Sequence, residues 1–581
     1  MHKDEWDTVV DLLVVGSGAG GMTAAIAGAS HGLSTLIVEK ADVYGGNTAL
    51  SGGGIWIPNN PVLAQQGITD PDESVMAYLR SIVGPHGDED RLSAYVRQGP
   101  QVLAQLMELS RHMRFIWCRG YSDYHPENPG GRPEGRSVEP APFDLRELGA
   151  EAADLRKAEL AVPAGMWMTQ REFRDVNLVM RTWTGKKMAI KTGWRMITGK
   201  LGLNRTVALG TALVARLRLV LRDLGVPLWL ETPLTSLITD DDGNVVGAEV
   251  QRGSRTHRIR AVRGVVIASG GFEHDPVMRS RYLPEGGSAN FSAGSPSNTG
   301  DGIRAGLDAG AAVDLMDDAW WMPALELPNG TRLCLVSERS IPRQIIVDQT
   351  GERFTNEAAP YVTFVHKVLG GGHGPLWFLT DHVAKKRYQF GGIMPGQAFP
   401  QEWYDAGMVV RAESLHELAE KTGLPADAVE RSVRRFNQNA RAGQDPDFHR
   451  GESAYDRYYG DDSLPHPVLD VIDSGPYYAV RIVAGDLGTK GGLRCDASSR
   501  VVRDDGSVIG GLYATGNSSA AVMGNDYAGP GATIGPAMVF GWIAATTAAA
   551  TAAGPVWQRN HIAAAPSFET QSVTGASRED Q

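Results

Sequence analysis

The stretch Asp11–Lys40, DLLVVGSGAGGMTAAIAGASHGLSTLIVEK, decides the fold. Asp11 to Val15 reads as a buried strand, and it runs into the turn GSGAGG, Gly16 to Gly21. MTAAIAGASHG then has a helical pattern, and STLIVEK is a second apolar strand closing at Glu39. Gly16, Gly18 and Gly21 supply GxGxxG between strand and helix, and Glu39 follows about 20 residues on, where an acid reaches a ribose. Glycines let the backbone approach a pyrophosphate, and the helix N-terminus attracts its charge. A dinucleotide site at Gly16, Ser17, Gly18, Ala19, Gly20, Gly21 and Glu39 is predicted. The motif alone does not separate NAD from FAD.

The bulk numbers set limits on the rest. The chain has 581 residues, 42% of them apolar and 21% charged, as expected of a globular enzyme. Its 70 glycines follow no period, which fits tight turns rather than a fibrous repeat. A net charge of −11 argues against nucleic acid as a partner. Cys118, Cys334 and Cys495 are too scattered for a disulfide framework, so a reducing cytoplasm is expected. The N-terminus lacks a signal-peptide pattern. Ala537 to Gly554 is read as a buried helix closing the cofactor domain. No His/Cys/Asp cluster has metal spacing, and no P-loop occurs.

The glycine-rich run YGGNTALSGGGIWIP, Tyr44 to Pro58, directly follows the second strand. With GVVIASGGF (from Gly264), SNTGDGIRAGLDAGA (from Ser297) and GLYATGNSSA (from Gly511), it resembles the fumarate reductase/succinate dehydrogenase flavoprotein superfamily. The resemblance spans almost the whole chain and implies FAD. Its flavin contacts carry over to Lys40, then to Gly45, Gly46, Asn47, Thr48, Ser51, Gly52 and Gly53. Ser269, Gly270, Gly516, Asn517, Ala532, Thr533 and Ile534 complete them. The implied fold is α/β: a Rossmann-type FAD-binding domain interrupted by an α+β catalytic cap. Residues 1–318 and 489–558 would form the first, 319–488 the cap, and 559–581 a disordered tail.

Dicarboxylate reductases of that superfamily need Arg and His for two carboxylates. Here VAGDLGTKGGLRCD carries no His and offers Lys490 before the last strand, and Tyr361 follows GERFTNEAAP, so a neutral substrate is expected. YSDYHPENPGG, GERFTNEAAPY, GPYYAVRIVAGDLGTKGGL and GNDYAGPGATIGPAM together resemble the 3-ketosteroid Δ1-dehydrogenases. That resemblance implies 1,2-desaturation of a 3-ketosteroid, with Tyr124, Tyr361, Tyr527 and the Gly531 N–H as catalytic groups. Tyr361 would be the base, aided by Tyr124, with Tyr527 and Gly531 as donors to the ketone oxygen. Tyr121, three residues before Tyr124, is open to confusion with it. Ala528 stands where the family often has proline. His125 and His366 have no partner pattern. The rival readings are a Δ4-(5α)-ketosteroid dehydrogenase or enone reductase, and a membrane-peripheral flavin relay.

An insertion of about 141–222 exceeds what compact relatives require. Val176 to Arg222 has no Asp or Glu but carries Arg181, Lys186, Lys187, Lys191, Arg195, Lys200, Arg205, Arg216, Arg218 and Arg222, interleaved with Trp183 and Trp194. Such a patch on an acidic protein fits contact with an anionic membrane. The alternative is a solvated helical face. Peripheral association with the inner face of the cell membrane, with a quinone as electron acceptor, is the expectation.

Overall fold

The computed structural model describes residues 6–84, 87–157, 167–284 and 291–551. The tail from Arg559 and the first five residues lie outside them.

Strand β1 (Thr8–Val15), helix α1 (Ala19–Ser30) and strand β2 (Thr35–Val38) form the predicted unit. The strands pair in parallel from Leu12↔Thr35 to Val15↔Val38. The helix starts earlier than its apolar pattern, so Gly20 and Gly21 fall in its first turn. Helix α2 (Gly46–Leu50) follows β2. The insertion contributes α3 (Gln170–Asn177), α4 (Trp183–Lys200) and α5 (Leu209–Asp223). Next come β3 (Leu228–Trp229), β4 (Leu234–Thr239), β5 (Val245–Arg252) and β6 (Arg255–Ile267).

A second sheet uses β7 (Ala319–Glu326), β8 (Arg332–Cys334), β9 (Gln344–Val347), β10 (Leu376–Asp381), β11 (Val409–Ala412) and β12 (Tyr477–Thr489). Its order is β8-β7-β12-β10-β9, with β11 also on β12, and its pairs are antiparallel. Helix α6 (Tyr361–Gly371) follows β9.

The chain then returns to the first sheet through β13 (Arg500–Val502) and β14 (Val508–Ala514). That eight-stranded sheet runs β13-β14-β6-β1-β2-β3, with β5 on β6 and β4 on β5. Its centre, from β14 to β3, is parallel. Its central strands are apolar on both faces because helices cover them. The last helix, α7 (Ile534–Ala550), is largely buried and packs along α1. The two approach so closely that a Cβ on Gly541 would stand 2.3 Å from the Gly20 carbonyl oxygen. Among the described residues no helix is long and apolar enough to cross a membrane.

Candidate active site

The turn after β1 is a cradle that only glycine fits. Gly16 has φ +105°, and a Cβ there would meet the Ala268 carbonyl oxygen at 2.3 Å. The Glu39 carboxylate is held at the end of β2 by the Ser17 N–H at 3.0 Å and the Ser17 hydroxyl at 2.6 Å. The Ala41 N–H donates to its other oxygen. Thr48 in α2 accepts from the Ala19 N–H. Lys40 reaches Thr299 and Asp301. Asn47 bridges Glu273 and the Ser295 N–H. A helix N-terminus, an acid at a strand end and backbone that can be approached closely suit the pyrophosphate and ribose of a dinucleotide.

One continuous cavity of about 590 Å³ runs from this cradle to the second sheet. Gly16, Ser17, Gly18, Ala19 and Gly20 line it, with Glu39, Lys40, Gly46, Asn47 and Thr48. So do Ser51, Gly52, Gly53, Ser269, Gly270, Gly516, Asn517, Thr533 and Ile534. Three expected contacts, Gly21, Gly45 and Ala532, do not line it. Gly21 faces the Gly16 carbonyl, where a Cβ would stand 2.1 Å from its oxygen. Gly45 gives its N–H to Ser17 from behind the wall, with φ +115°. Ala532 is buried in the core. Gly21 lies in the first turn of α1, and all three stand behind the cavity surface.

The cavity also brings together Tyr124, Tyr361, Tyr527 and Gly531, from three separate stretches of chain. Tyr361 is the first residue of α6, and all three tyrosines are buried. Tyr124 donates its hydroxyl to the Tyr361 oxygen at 2.8 Å. The Tyr124 ring stacks on that of Tyr527, with centroids 5.1 Å apart. Trp320 stands edge-on to Tyr527 at 5.0 Å. Burial, then the neighbouring phenols, hold Tyr124 and Tyr361 well above the usual tyrosine range. Burial raises Tyr527 as well, opposed by the Thr533 hydroxyl, by Tyr361 and by the Gly531 N–H. Gly531 has φ +94°, and a Cβ there would stand 2.1 Å from the Gly54 carbonyl.

A buried ionic frame positions Tyr124. Arg136 bridges Asp70 and the neighbouring Asp123, and all three are almost fully buried. Asp123 also accepts from the Trp56 indole at 2.8 Å and the Arg132 N–H. Burial nevertheless pushes Asp123 up to about 6. On the next residue, the Tyr124 N–H donates to the Ala528 carbonyl, which joins this frame to the Tyr527 loop.

Lys490 is fully buried against Asp318 at 3.0 Å, so it is committed and does not offer a free cation to an anionic substrate. His366 also pairs with Asp318, and His125 with Asp526. Both histidines therefore have carboxylate partners that sequence order concealed. Tyr121, Tyr459, Phe173, Trp320, Met322 and Leu487 line the cavity without having been singled out as contacts. Only the alternation along β7 would have pointed to Trp320 and Met322 as facing one side.

The insertion forms part of this wall through Gln170 and Phe173 of α3. Its charge differs from the sequence expectation. Arg195 is buried and, with Lys191, pairs with Glu172. Arg181 pairs with Asp461 and Arg218 with Glu151. Arg216 donates to backbone carbonyls of Ala141 and Pro142, and Arg222 to that of Glu147. Among the described residues, Lys186, Lys187, Lys200 and Arg205 make no ion pair and are exposed. Trp183, Ile190, Trp194, Ile197 and Leu201 follow helical spacing, and each is more than half exposed.

The model of the FAD binding domain family matches residues 11–534. The chain is 47% identical over 558 residues to a 3-oxosteroid 1-dehydrogenase of Mycolicibacterium smegmatis, covering 94% of this chain and 98% of that one. A 3-oxosteroid 1-dehydrogenase of Mycobacterium tuberculosis is 47% identical over 550 residues, 92% of this chain and 97% of that one. The crystal structure of 3-ketosteroid Δ1-dehydrogenase from Sterolibacterium denitrificans in complex with 1,4-androstadiene-3,17-dione superposes with a TM-score of 0.88. It is 40% identical, with 94% of this chain and 100% of that one covered.

Proposed function

The chain belongs to the 3-oxosteroid 1-dehydrogenases of the FAD-binding-domain family, and from that premise we propose how its residues divide the reaction. It is an FAD-dependent oxidoreductase that converts a 3-oxo-4-ene steroid to the 3-oxo-1,4-diene. Bound FAD supplies the acceptor for the hydride that leaves carbon 1. The Gly16–Gly21 turn and α1 would hold its pyrophosphate, and Glu39 its ribose.

The Tyr527 hydroxyl and the Gly531 N–H donate to the steroid's carbonyl oxygen. Tyr361 takes the proton from carbon 2, whose C–H electrons move toward that oxygen. The two donors stabilise the enolate that develops there. As hydride leaves carbon 1, the C1–C2 double bond forms. Tyr124 donates to the Tyr361 oxygen and steadies it through the transfer. What carries this reading is the meeting of three buried tyrosines and Gly531 in a cavity continuous with the dinucleotide cradle.

The same reading divides the chain into an FAD-binding part, 1–318 and 489–558, and a cap, 319–488. It also docks α4 on an anionic bilayer at the inner face of the cell membrane. The exposed Trp183–Ile190–Trp194–Ile197 stripe beside Lys186 and Lys187 supports that docking. Steroid and a quinone acceptor would both be drawn from the lipid.

The test is anaerobic addition of androst-4-ene-3,17-dione to the FAD-loaded protein. Bleaching of the oxidised flavin with formation of the 1,4-diene-3-one is expected. A flavin left oxidised by this steroid and by a long-tailed 4-en-3-one would overturn the reading.

A further inference from the structure

A phenol surrounded by phenols is a poor base, and Tyr361 is held high by burial, Tyr527, Tyr121 and Tyr455. Most cations near the cavity have a carboxylate of their own. Lys490 has Asp318, and Arg136 has Asp70 and Asp123. Arg339 differs. It is fully buried, and its guanidinium donates to three backbone carbonyls: Leu335 at 3.0 Å, Glu357 at 2.7 Å and Ala359 at 2.8 Å. Among the described residues no carboxylate forms an ion pair with it.

The acids around it are engaged elsewhere. Glu338 accepts from the Gly391 N–H and the Ser337 hydroxyl. The Glu357 carboxylate pairs with Arg353 and Arg450. Asp456 accepts from Asn356 and the Gly451 N–H. Glu338 also feels Arg339: burial raises its carboxyl, and Arg339 draws it down. A buried positive charge with no ion pair of its own further favours negative charge on a neighbouring group that has no cation of its own.

That group is phenolic. The guanidinium lies over the Phe364 ring at 5.5 Å, one turn along α6 from Tyr361, and it grips Ala359 two residues before Tyr361. On its other side is Tyr455. Burial and Tyr121 raise that phenol, and Arg339 pulls it back down. The Tyr455 ring packs on Tyr124 at 4.7 Å, and Tyr124 donates to Tyr361.

Resting on the base assignment above, we propose that Arg339 is the counter-charge of the catalytic base, a positioning residue that lets the Tyr361–Tyr124 pair take up a negative charge at lower pH than its burial alone would allow. Arg339 touches neither the substrate nor the reacting atoms. It acts through the field behind Tyr455 and through the Ala359 carbonyl that fixes the start of α6. A unit charge on the order of 10 Å away, at an effective dielectric near 20, shifts an ionisation by about one pH unit.

The experiment compares wild type, Arg339→Met and Arg339→Lys as FAD-loaded proteins. It reads the pH profile of kcat/KM and the ultraviolet titration of tyrosinate without substrate. Arg339→Met should move the rise of the profile about one pH unit more alkaline. It should lose about tenfold in kcat/KM at neutral pH while still binding steroid. Arg339→Lys should return the profile toward wild type. A folded, flavin-bound Arg339→Met with the wild-type profile overturns the proposal.

Should Arg339→Met fail to hold flavin, Tyr361→Phe, Arg339→Lys and Arg339→Gln decide. A phenol titration absent from Tyr361→Phe, unmoved in Arg339→Lys and moved to more alkaline pH in Arg339→Gln supports the proposal. An Arg339→Gln protein with the wild-type titration overturns it. The titration needs no turnover, so it stays informative even if no ketosteroid is oxidised, the outcome that would sink the functional reading instead.

Discussion

Tyr124 and Tyr361 share one hydrogen bond, 2.8 Å long, between phenols that lie 237 residues apart in sequence and are both buried. The direction of that bond, Tyr124 donating, leaves the Tyr361 oxygen as the acceptor. Under the proposed roles, this arrangement suits Tyr361 to receive a proton and Tyr124 to stabilise the charge Tyr361 holds beforehand.

Tyr361→Phe should therefore lower kcat by about 10²–10⁴, while flavin absorbance and steroid binding persist. The base works deprotonated, and its surroundings raise its pKa, so the active fraction grows with pH. Activity should climb from neutral into alkaline pH. A rate that stays flat from mildly acidic to alkaline pH would count against a tyrosine base.

Tyr527→Phe removes one donor to the developing oxyanion, and a loss of about 10²–10³ in kcat is expected. Gly531→Ala should be worse and should lower thermal stability too. Its Cβ would collide with the Gly54 carbonyl in a backbone conformation that favours glycine. Steady-state kinetics and a melting curve on both variants separate the effects. A Gly531→Ala protein as stable and active as wild type would refute this account of the loop.

Docking of α4 predicts that Lys186→Gln/Lys187→Gln weakens binding to anionic vesicles by roughly tenfold or more, at ~1 kcal/mol per basic residue. Trp183→Ala/Trp194→Ala should weaken binding to neutral vesicles as well. Sedimentation with vesicles at low and high salt reads both, and unchanged binding rejects the docking. Arg195→Ala belongs to another class. It strips Glu172 of a buried partner and should lower the melting temperature of the protein in solution.

Glu273 offers a test of stability against pH. It is fully buried, and burial pushes its carboxyl up to about 7, against hydrogen bonds from Asn298 and Asn47. A raised carboxyl contributes stability that is fully present below its unfolded pKa and is lost as pH climbs through about 7. Glu273→Gln should remove that decline and gain about 1–3 kcal/mol near pH 8. Parallel melting curves from pH 5 to 9 for both proteins would contradict this.

Local features of the site were legible in the sequence, and long-range ones were not. Gly16, Glu39 and Thr48 sit within a few dozen residues of each other, where strand, turn and helix impose their spacing. The tyrosines were reachable only through motif resemblance, because no periodicity links positions 124, 361 and 527. Gly21, Gly45 and Ala532 lie inside flavin motifs yet stand behind the cavity surface, a distinction that needs coordinates. The basic stretch misled for a simple reason: Glu172, the acid that neutralises Lys191 and Arg195, lies four residues before the acid-free window starting at Val176. His125 and Asp526 are separated by 401 residues, so their pairing had no sequence signature.

The eight-stranded sheet is completed by β14, and α1, which also packs against α5, finds its most extensive partner in α7. The segment that first announces a cofactor therefore waits for almost the whole chain before its own platform is closed. During synthesis, a growing polypeptide carries the glycine turn of residue 16 for some 500 residues of elongation with one flank of its sheet unpaired and one face of α1 uncovered. Exposed apolar surface and open strand edges are what chaperones bind and what drives aggregation. The order of elements along the chain thus ties closure of the cofactor platform to the arrival of β14 and α7, so that delay as well as stability bears on folding.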